Sequence, residues 1–383
     1  MLGLLLARAG RRVLLLEKHA DFLHDFRGDT IHPATLRLMQ DLGWLDEFLR
    51  LPHQRAEALY AEIDGKQLAI ADFRTLPLPE ACRHIAFMPQ WDFLAFLTGK
   101  AEHYPGFELR MGTEVTGLLR EGERVIGLTA RGAAGDETQL FAPLVVGADG
   151  RHSRIRALAG LQVQDFGSAV DVLWFQLPRA PEDPAPAMSH AGPQQGLVMV
   201  DRGSYWQCGY VIGKDRFDEV KAAGLPAFRA ALAALAPLPA QRFETLEDWN
   251  QVHLLSVRLD RLDKWWAPGV LCIGDAAHAM SPVGGFGVNL AIQDAVAAAR
   301  ILREPLRRGD LRDADLAAVQ KRRDFPTKAT QKLQMMMRRK RKPDGKPRRK
   351  GPPKFLKVLA RFPVLSRLMG RLIGLGFRSE RIE

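Results

Sequence analysis

The stretch that most constrains this chain runs from Val270 to Leu302. An apolar segment, Val270 to Ile273, passes into Gly274-Asp275-Ala276-Ala277-His278, then a turn holding Pro282, Gly284, Gly285 and Gly287, then an Ala-rich segment over Val288 to Leu302. An apolar run that stops at glycines reads as a buried strand, and the 3.6-residue spacing after it reads as a long helix. Small residues let a flat cofactor approach the backbone, Asp275 can bind sugar-alcohol hydroxyls, and the helix points its positive end at whatever lies beside Gly287.

Two further elements belong to the same architecture. The chain opens inside a β-α-β unit, with Leu2 to Arg8 as the end of a helix, Gly10 as its cap and Arg12 to Leu16 as a buried strand. Glu17 closes that strand, where a carboxylate can accept from both ribose hydroxyls of a dinucleotide; a solvated strand end is the plainer reading. The second element, Gly147-Ala148-Asp149-Gly150-Arg151-His152-Ser153, follows the strand Val145-Val146 and delivers an Asp-Gly turn to the mouth of a sheet. That turn either serves a ligand or caps the next helix through Asp149 or Ser153.

Between these elements, helices are expected over Pro33 to Leu42 and Gln90 to Glu102, and a small β-meander over Phe107 to Phe141. Strands over Val172 to Leu177, Leu197 to Asp201 and Tyr205 to Ile212 flank a Pro-rich loop, with a helix over Ala222 to Ala236. At 383 residues the chain exceeds one small core, which predicts two domains and a tail. The three cysteines, Cys82, Cys208 and Cys272, are widely spaced and odd in number, so they offer no disulfide framework or C-x-x-C metal pair and suit a reducing cytoplasm. No Ser/His/Asp triad or metal cluster is legible.

In this order and spacing, the Asp-Gly and Gly-Asp elements resemble the FAD-dependent flavoprotein monooxygenases, the aromatic hydroxylases typified by p-hydroxybenzoate hydroxylase. The resemblance covers roughly Leu2 to Ala329. It implies an α/β, glutathione-reductase-like FAD-binding fold, a three-layer ββα arrangement, with an inserted β-sheet substrate domain. The FAD-binding domain would comprise residues 1–54, 89–165 and 266–330, the substrate domain 55–88 and 166–265, and a basic linker and helical tail 331–383. By motif, Glu17 would bind the adenosine ribose, Arg27 would approach the flavin side and Gln90 the middle of FAD. Asp275 would bind the ribityl chain, and the turn with Pro282, Gly285, Gly287 and Asn289 would lie along the isoalloxazine. Asp149 and Arg156 inherit a link to FAD and NAD(P)H.

The implied reaction is hydroxylation of an aromatic or related hydrophobic molecule by O2 through a flavin hydroperoxide, with NADPH or NADH as a transient reductant. No catalytic side chain is expected, because the flavin carries the chemistry. Alternatives are an FAD-dependent reductase of the same fold and a non-catalytic remnant with a basic interaction tail. The family's G-x-G-x-x-G pyrophosphate loop would precede the first helix and is not in this sequence, so the expectation is a natural protein with an earlier start. His278 is expected to be a packed core histidine, Trp265-Trp266 to pack at the domain junction, and Cys272 to be buried and inert.

Charge sets apart the tail. Of the net +11, Arg338 to Lys354 supplies +9, with ten basic side chains against Asp344 alone. Beyond it, apolar residues from Phe355 to Ile373 alternate with Lys357, Arg361, Arg367 and Arg371, broken at Pro363. This suits either an amphipathic element on an anionic membrane or a C-terminal helix packed on the FAD domain. Nucleic acid is disfavoured, because the basic run has no interleaved aromatics for base stacking.

Overall fold

The computed structural model describes residues 1–23, 30–63, 66–183, 189–191, 196–236, 238–282, 284–337 and 363–382. Arg27 and the basic run from Arg338 to Lys354 lie outside them.

Two parallel ladders lie at the centre. Strand Val13–Leu16 pairs with Phe107–Arg110, Val13 opposite Phe107, and Val145–Gly147 pairs with Val270–Cys272, Gly147 opposite Cys272. The ladders belong to separate sheets, and among the described residues Val13–Leu16 is paired along one side only. The expected burial of this strand is therefore incomplete, with Leu15 38% exposed. An antiparallel meander, Glu114–Glu121, Arg124–Arg131 and Glu137–Phe141, forms a second layer.

The Ala-rich segment is a longer helix than its periodicity suggested, Phe286–Arg308. Its Ile292, Val296 and Ala299 join a core with Leu4 to Leu6, Leu36, Phe93 and Leu97. Its Ala295, Ala298 and Leu302 join another with Val145, Trp265 and Val270 to Ile273. A helix buried on two sides needs small side chains for both neighbours to approach, which explains the run of alanines.

The substrate-domain sheet has five antiparallel strands in the order Ser189–Ala191, Gly196–Asp201, Tyr205–Gly213, Val170–Pro178, His253–Leu255. Alternation sends Leu173, Phe175, Leu177, Leu197, Met199, Trp206, Cys208 and Tyr210 to one face, where Phe228 and Leu232 cover them. The helix expected over Ala222 to Ala236 is instead two, Phe217–Ala222 and Leu225–Ala233. Pro226 in the first turn of the second cannot supply the amide that a continuous helix requires. On the opposite face, Val198 and Val200 pack with Met280 and Phe286 of the Gly-rich turn, joining the two domains.

Helix Asp313–Met337 continues past position 330, where the tail was expected to begin, and helix Pro363–Leu375 docks on the structure. Its principal partner is strand Lys66–Asp72 of the substrate domain, with Pro33–Asp41 of the FAD domain contributing less. The described part of the tail is therefore a packed helix. Ser366, Gly370, Ile373 and Gly374 face inward. No described helix is long and apolar enough to cross a membrane.

Candidate active site

Parallel pairing brings the two sequence motifs to one edge. The register places Gly147 beside Cys272, and the Ile273 N–H donates to the Gly147 carbonyl at 3.0 Å. The Asp149-Gly150 and Gly274-Asp275 turns therefore leave the carboxyl ends of adjacent strands, the position where open α/β sheets receive ligands.

The two aspartates do different things. Asp149 accepts from Ser153 Oγ at 2.5 Å, from the Arg154 N–H at 2.7 Å and from the Ile155 N–H at 3.0 Å. Ser153 Oγ accepts the Arg156 N–H at 2.9 Å, so both capping residues serve helix Arg154–Leu158. Asp275 is not consumed in this way. Its side chain is 30% exposed, and among the described residues it pairs with Arg151 Nη2 at 3.5 Å. Arg151 is itself anchored by donation to the Ser256 carbonyl at 3.0 Å. Arg156 is buried and ties the two turns together, donating to the Ala276 carbonyl at 3.3 Å and to the Arg151 carbonyl at 2.8 Å.

Pro282, Gly285, Gly287 and Asn289 lie around the start of helix Phe286–Arg308. Gly285 caps it at φ +63°, and an ideal Cβ there would collide with Thr30 Oγ1, so only glycine fits. Among the described residues no side chain caps this N-terminus, so its first-turn N–H groups can serve another acceptor. Over Gly287 a Cβ would meet nothing nearer than Asp275 Oδ1 at 3.7 Å. Asn289, by contrast, is spent as a brace: its Oδ1 accepts from the His32 N–H at 2.9 Å and Thr35 Oγ1 at 2.8 Å. Its Nδ2 donates to the carbonyls of Thr30 at 2.8 Å and Gly285 at 2.9 Å.

Glu17 lies just past the other ladder, and Gln90 on a helix. Glu17 ends Val13–Leu16, half-buried, its Oε1 accepting the His19 N–H at 2.9 Å. Gln90 opens helix Gln90–Glu102, which packs on Leu2–Arg8. Thr30, three residues beyond Arg27, donates through its hydroxyl to the Gly285 carbonyl at 3.2 Å.

His278 is a core residue, 1% exposed, with Nε2 2.5 Å from Asp294 Oδ2. Burial pushes the Asp294 carboxyl up, but His278 and Arg323 more than offset this and hold it below the usual carboxylate range. Trp265 packs against His278, ring centroids 4.9 Å apart, in the core that holds Val145 and Val270 to Ile273, and Trp266 lies partly buried against the same core. Burial pushes the Cys272 thiol up to about 12, leaving it unreactive.

Sequence reading missed the helix that supports this turn. Arg323, Thr327, Thr330, Gln331 and Gln334 form a buried polar stripe on Asp313–Met337. Gln334 exchanges two bonds with the Ser281 backbone, at 2.9 and 3.1 Å, and Gln331 Nε2 donates to the carbonyls of Asp260 at 2.7 Å and Ala279 at 3.2 Å. The signal was present as polar residues at helical spacing.

A half-buried carboxylate, a glycine whose missing Cβ would make only ordinary contact, and a helix N-terminus with no described side-chain cap fit the ribityl and ring portions of FAD. The "FAD binding domain" family matches residues 1–332. The chain is 33% identical over 375 residues to 6-methylpretetramide 4-monooxygenase of Streptomyces rimosus, spanning 97% of this chain and 88% of that protein. It is 29% identical to rifampicin monooxygenase of Streptomyces venezuelae over 75% of this chain, but spans only 58% of that relative. The fold is similar to anhydrotetracycline hydroxylase OxyS from Streptomyces rimosus, with a TM-score of 0.73 at 20% identity, covering 97% of this chain and 73% of that one. With its glutathione-reductase-like FAD-binding fold, the chain belongs to the family of FAD-dependent monooxygenases.

Proposed function

We propose that this monooxygenase hydroxylates a flat, polycyclic aromatic molecule related to an aromatic polyketide, with O2 as oxygen donor and NADPH or NADH as reductant. The observation that carries the reading is the apolar junction between the substrate-domain sheet and the Gly-rich turn, where Val198 and Val200 share one hydrophobic cluster with Met280 and Phe286. Trp174 shares the sheet face of Val198 through the register Trp174–Gly209–Val198. Its ring lies against Gly209, where a Cβ would approach it to 3.3 Å, and its indole N–H has no acceptor among the described residues. A planar hydrophobic substrate bearing an oxygen suits such a wall. The relative acting on 6-methylpretetramide supports the polycyclic class.

FAD, when bound, supplies the oxygen-activating chemistry. The protein's part is to hold and shield it. Asp275 would accept from the ribityl hydroxyls, and the first-turn N–H groups near Gly287 would stabilise negative charge on the reduced ring. Pro282 and Gly285 would shape the turn beside the ring, Glu17 would hold the adenosine ribose, Gln90 the middle of the cofactor and Arg27 its flavin side. Asp149 and Asn289 would act through the turns they brace. The test is NAD(P)H oxidation stimulated by an anthracene- or tetracene-type polyphenol under 18O2. One labelled oxygen in the product supports the reading; stimulated oxidation without incorporation selects the reductase alternative.

A peripheral membrane contact is a second reading of the tail, favoured by Val364 and Leu368 at 70% and 60% exposure on helix Pro363–Leu375 beside exposed Arg367 and Arg371. Salt-sensitive sedimentation with anionic but not neutral liposomes would support it. Equal behaviour with both would dismiss it.

A further inference from the structure

Glu380, in the segment after the docked tail helix, is 1% exposed. Its carboxylate takes Arg322 Nε at 2.7 Å, Arg300 Nη2 at 2.9 Å and Arg323 Nη1 at 3.4 Å, and its N–H donates to Gln293 Oε1. Arg323, equally buried, passes the connection on by donating from Nε to Asp294 Oδ1 at 2.9 Å. Asp294 Oδ2 then accepts the Gly274 N–H at 3.1 Å and lies 2.5 Å from His278 Nε2. Gly274 and His278 flank Asp275 on either side. A continuous buried chain of charges thus joins the tail to both ends of the turn, while among the described residues the Asp275 carboxylate has the 3.5 Å pair with Arg151 to fix it.

Buried charges hold geometry because each partner has few alternatives: removing one member leaves the next uncompensated. Arg323 is shared between two carboxylates, so its position depends on Glu380 as well as on Asp294. We propose that Glu380 is a positioning residue, a tail latch that sets the Asp275 turn for FAD through Arg323, Asp294 and His278. The FAD part rests on Asp275 binding the ribityl chain; the mechanical part does not.

The experiment uses the full chain carrying Glu380→Gln, Glu380→Asp, Arg322→Gln or Asp275→Ala, with two readouts. The first needs no cofactor: amide hydrogen exchange of a peptide spanning 274–281, compared with one spanning 170–178 in the substrate sheet. Expected for Glu380→Gln is exchange several-fold faster in the turn with the sheet unchanged, partial recovery in Glu380→Asp, and a weaker effect in the milder Arg322→Gln. The second, in a form extended to carry the pyrophosphate loop, is FAD affinity by flavin fluorescence quenching, expected to fall about tenfold in Glu380→Gln, the size of one charge-assisted hydrogen bond. The effect should be less than multiplicative with Asp275→Ala. Uniformly faster exchange everywhere, or an unchanged turn in a folded Glu380→Gln protein, overturns the latch. A loosened turn with FAD affinity unaffected by Asp275→Ala overturns the ribityl reading and leaves the latch standing.

Discussion

Replacing Gly370 by alanine separates a docked tail helix from a free one, because the two cases differ in sign. In a helix exposed to water, glycine to alanine stabilises by ~1 kcal/mol. On this helix the new methyl points into backbone. An ideal Cβ on Gly370 overlaps the Asp72 carbonyl oxygen, with the carbonyl carbon 2.6 Å away and the Asp72 nitrogen 2.9 Å away. Unlike the end of a side chain, a strand backbone cannot rotate aside. Sliding the helix is also blocked, because a Cβ on Gly374, one turn on, would already come within 2.9 Å of Leu76, 3.0 Å of Pro33 and 3.2 Å of Phe73.

The helix must therefore lift, uncovering Ile373, now 8% exposed, and the faces of Phe73 and Leu76, now 0% and 2% exposed. Exposing one such side chain costs ~1.5–3 kcal/mol, so a net loss of ~2–4 kcal/mol is expected after the propensity gain. Urea unfolding of the full chain, fitted for midpoint and slope, measures it. Unchanged stability, or a gain of ~1 kcal/mol, would refute the docked placement.

In a form extended to carry the pyrophosphate loop, Asp275→Ala should weaken FAD binding by about tenfold or more, the size of hydrogen bonds to a charged acceptor, with little change in melting temperature because the side chain is 30% exposed and its ion pair with Arg151 is long. Equilibrium dialysis with unchanged affinity would return Asp275 to a structural role. Acid should destabilise the fold well above the carboxylate range. Burial lowers both His32 and His84 from 6.5 to about 4, and for His84 the charges of Arg55 and His53 add to it. The unfolded chain then binds protons that the folded chain refuses, so stability is full above pH 6.5 and falls as pH drops toward 4, by roughly 3 kcal/mol per histidine. His84→Phe should remove about half of that slope, and an unchanged slope in urea titrations across this window would sink the assignment.

The sequence made the two parallel strands, the Gly-rich turn and the family legible because each depends on local pattern: apolar runs ending at glycine, and residues small enough for close approach. It did not reveal the seat of the tail. Helical spacing from Val364 to Ile373 describes a stripe but not its partner, and the same stripe suits a lipid surface or a protein one. What decides is Gly370 and Gly374, spaced four apart on the inward face, and their meaning depends on a strand about 300 residues earlier. The polar stripe of Asp313–Met337 was obscured for a related reason. Gln331 and Gln334 look solvent-facing on any hydropathy scale, and their bonds to the backbone of Asp260, Ala279 and Ser281 make their burial favourable.

Asp149 and Asp275 show how close a sequence can come to separating a brace from a binding group. Both follow buried parallel strands and both sit beside glycine. Asp149, however, has Ser153 four residues on and a helix beginning at Arg154, so three local donors lie within reach and take up its carboxylate. Asp275 is followed by a longer turn, and the next helix does not begin until Phe286, under a glycine cap. With no α-helix starting just after it to cap, its carboxylate stays partly open, and Arg151, which pairs with it, is supplied by the turn that Asp149 has fixed. The capped aspartate orders the edge and the uncapped one is left for a ligand, a division of labour that follows from where the next helix starts.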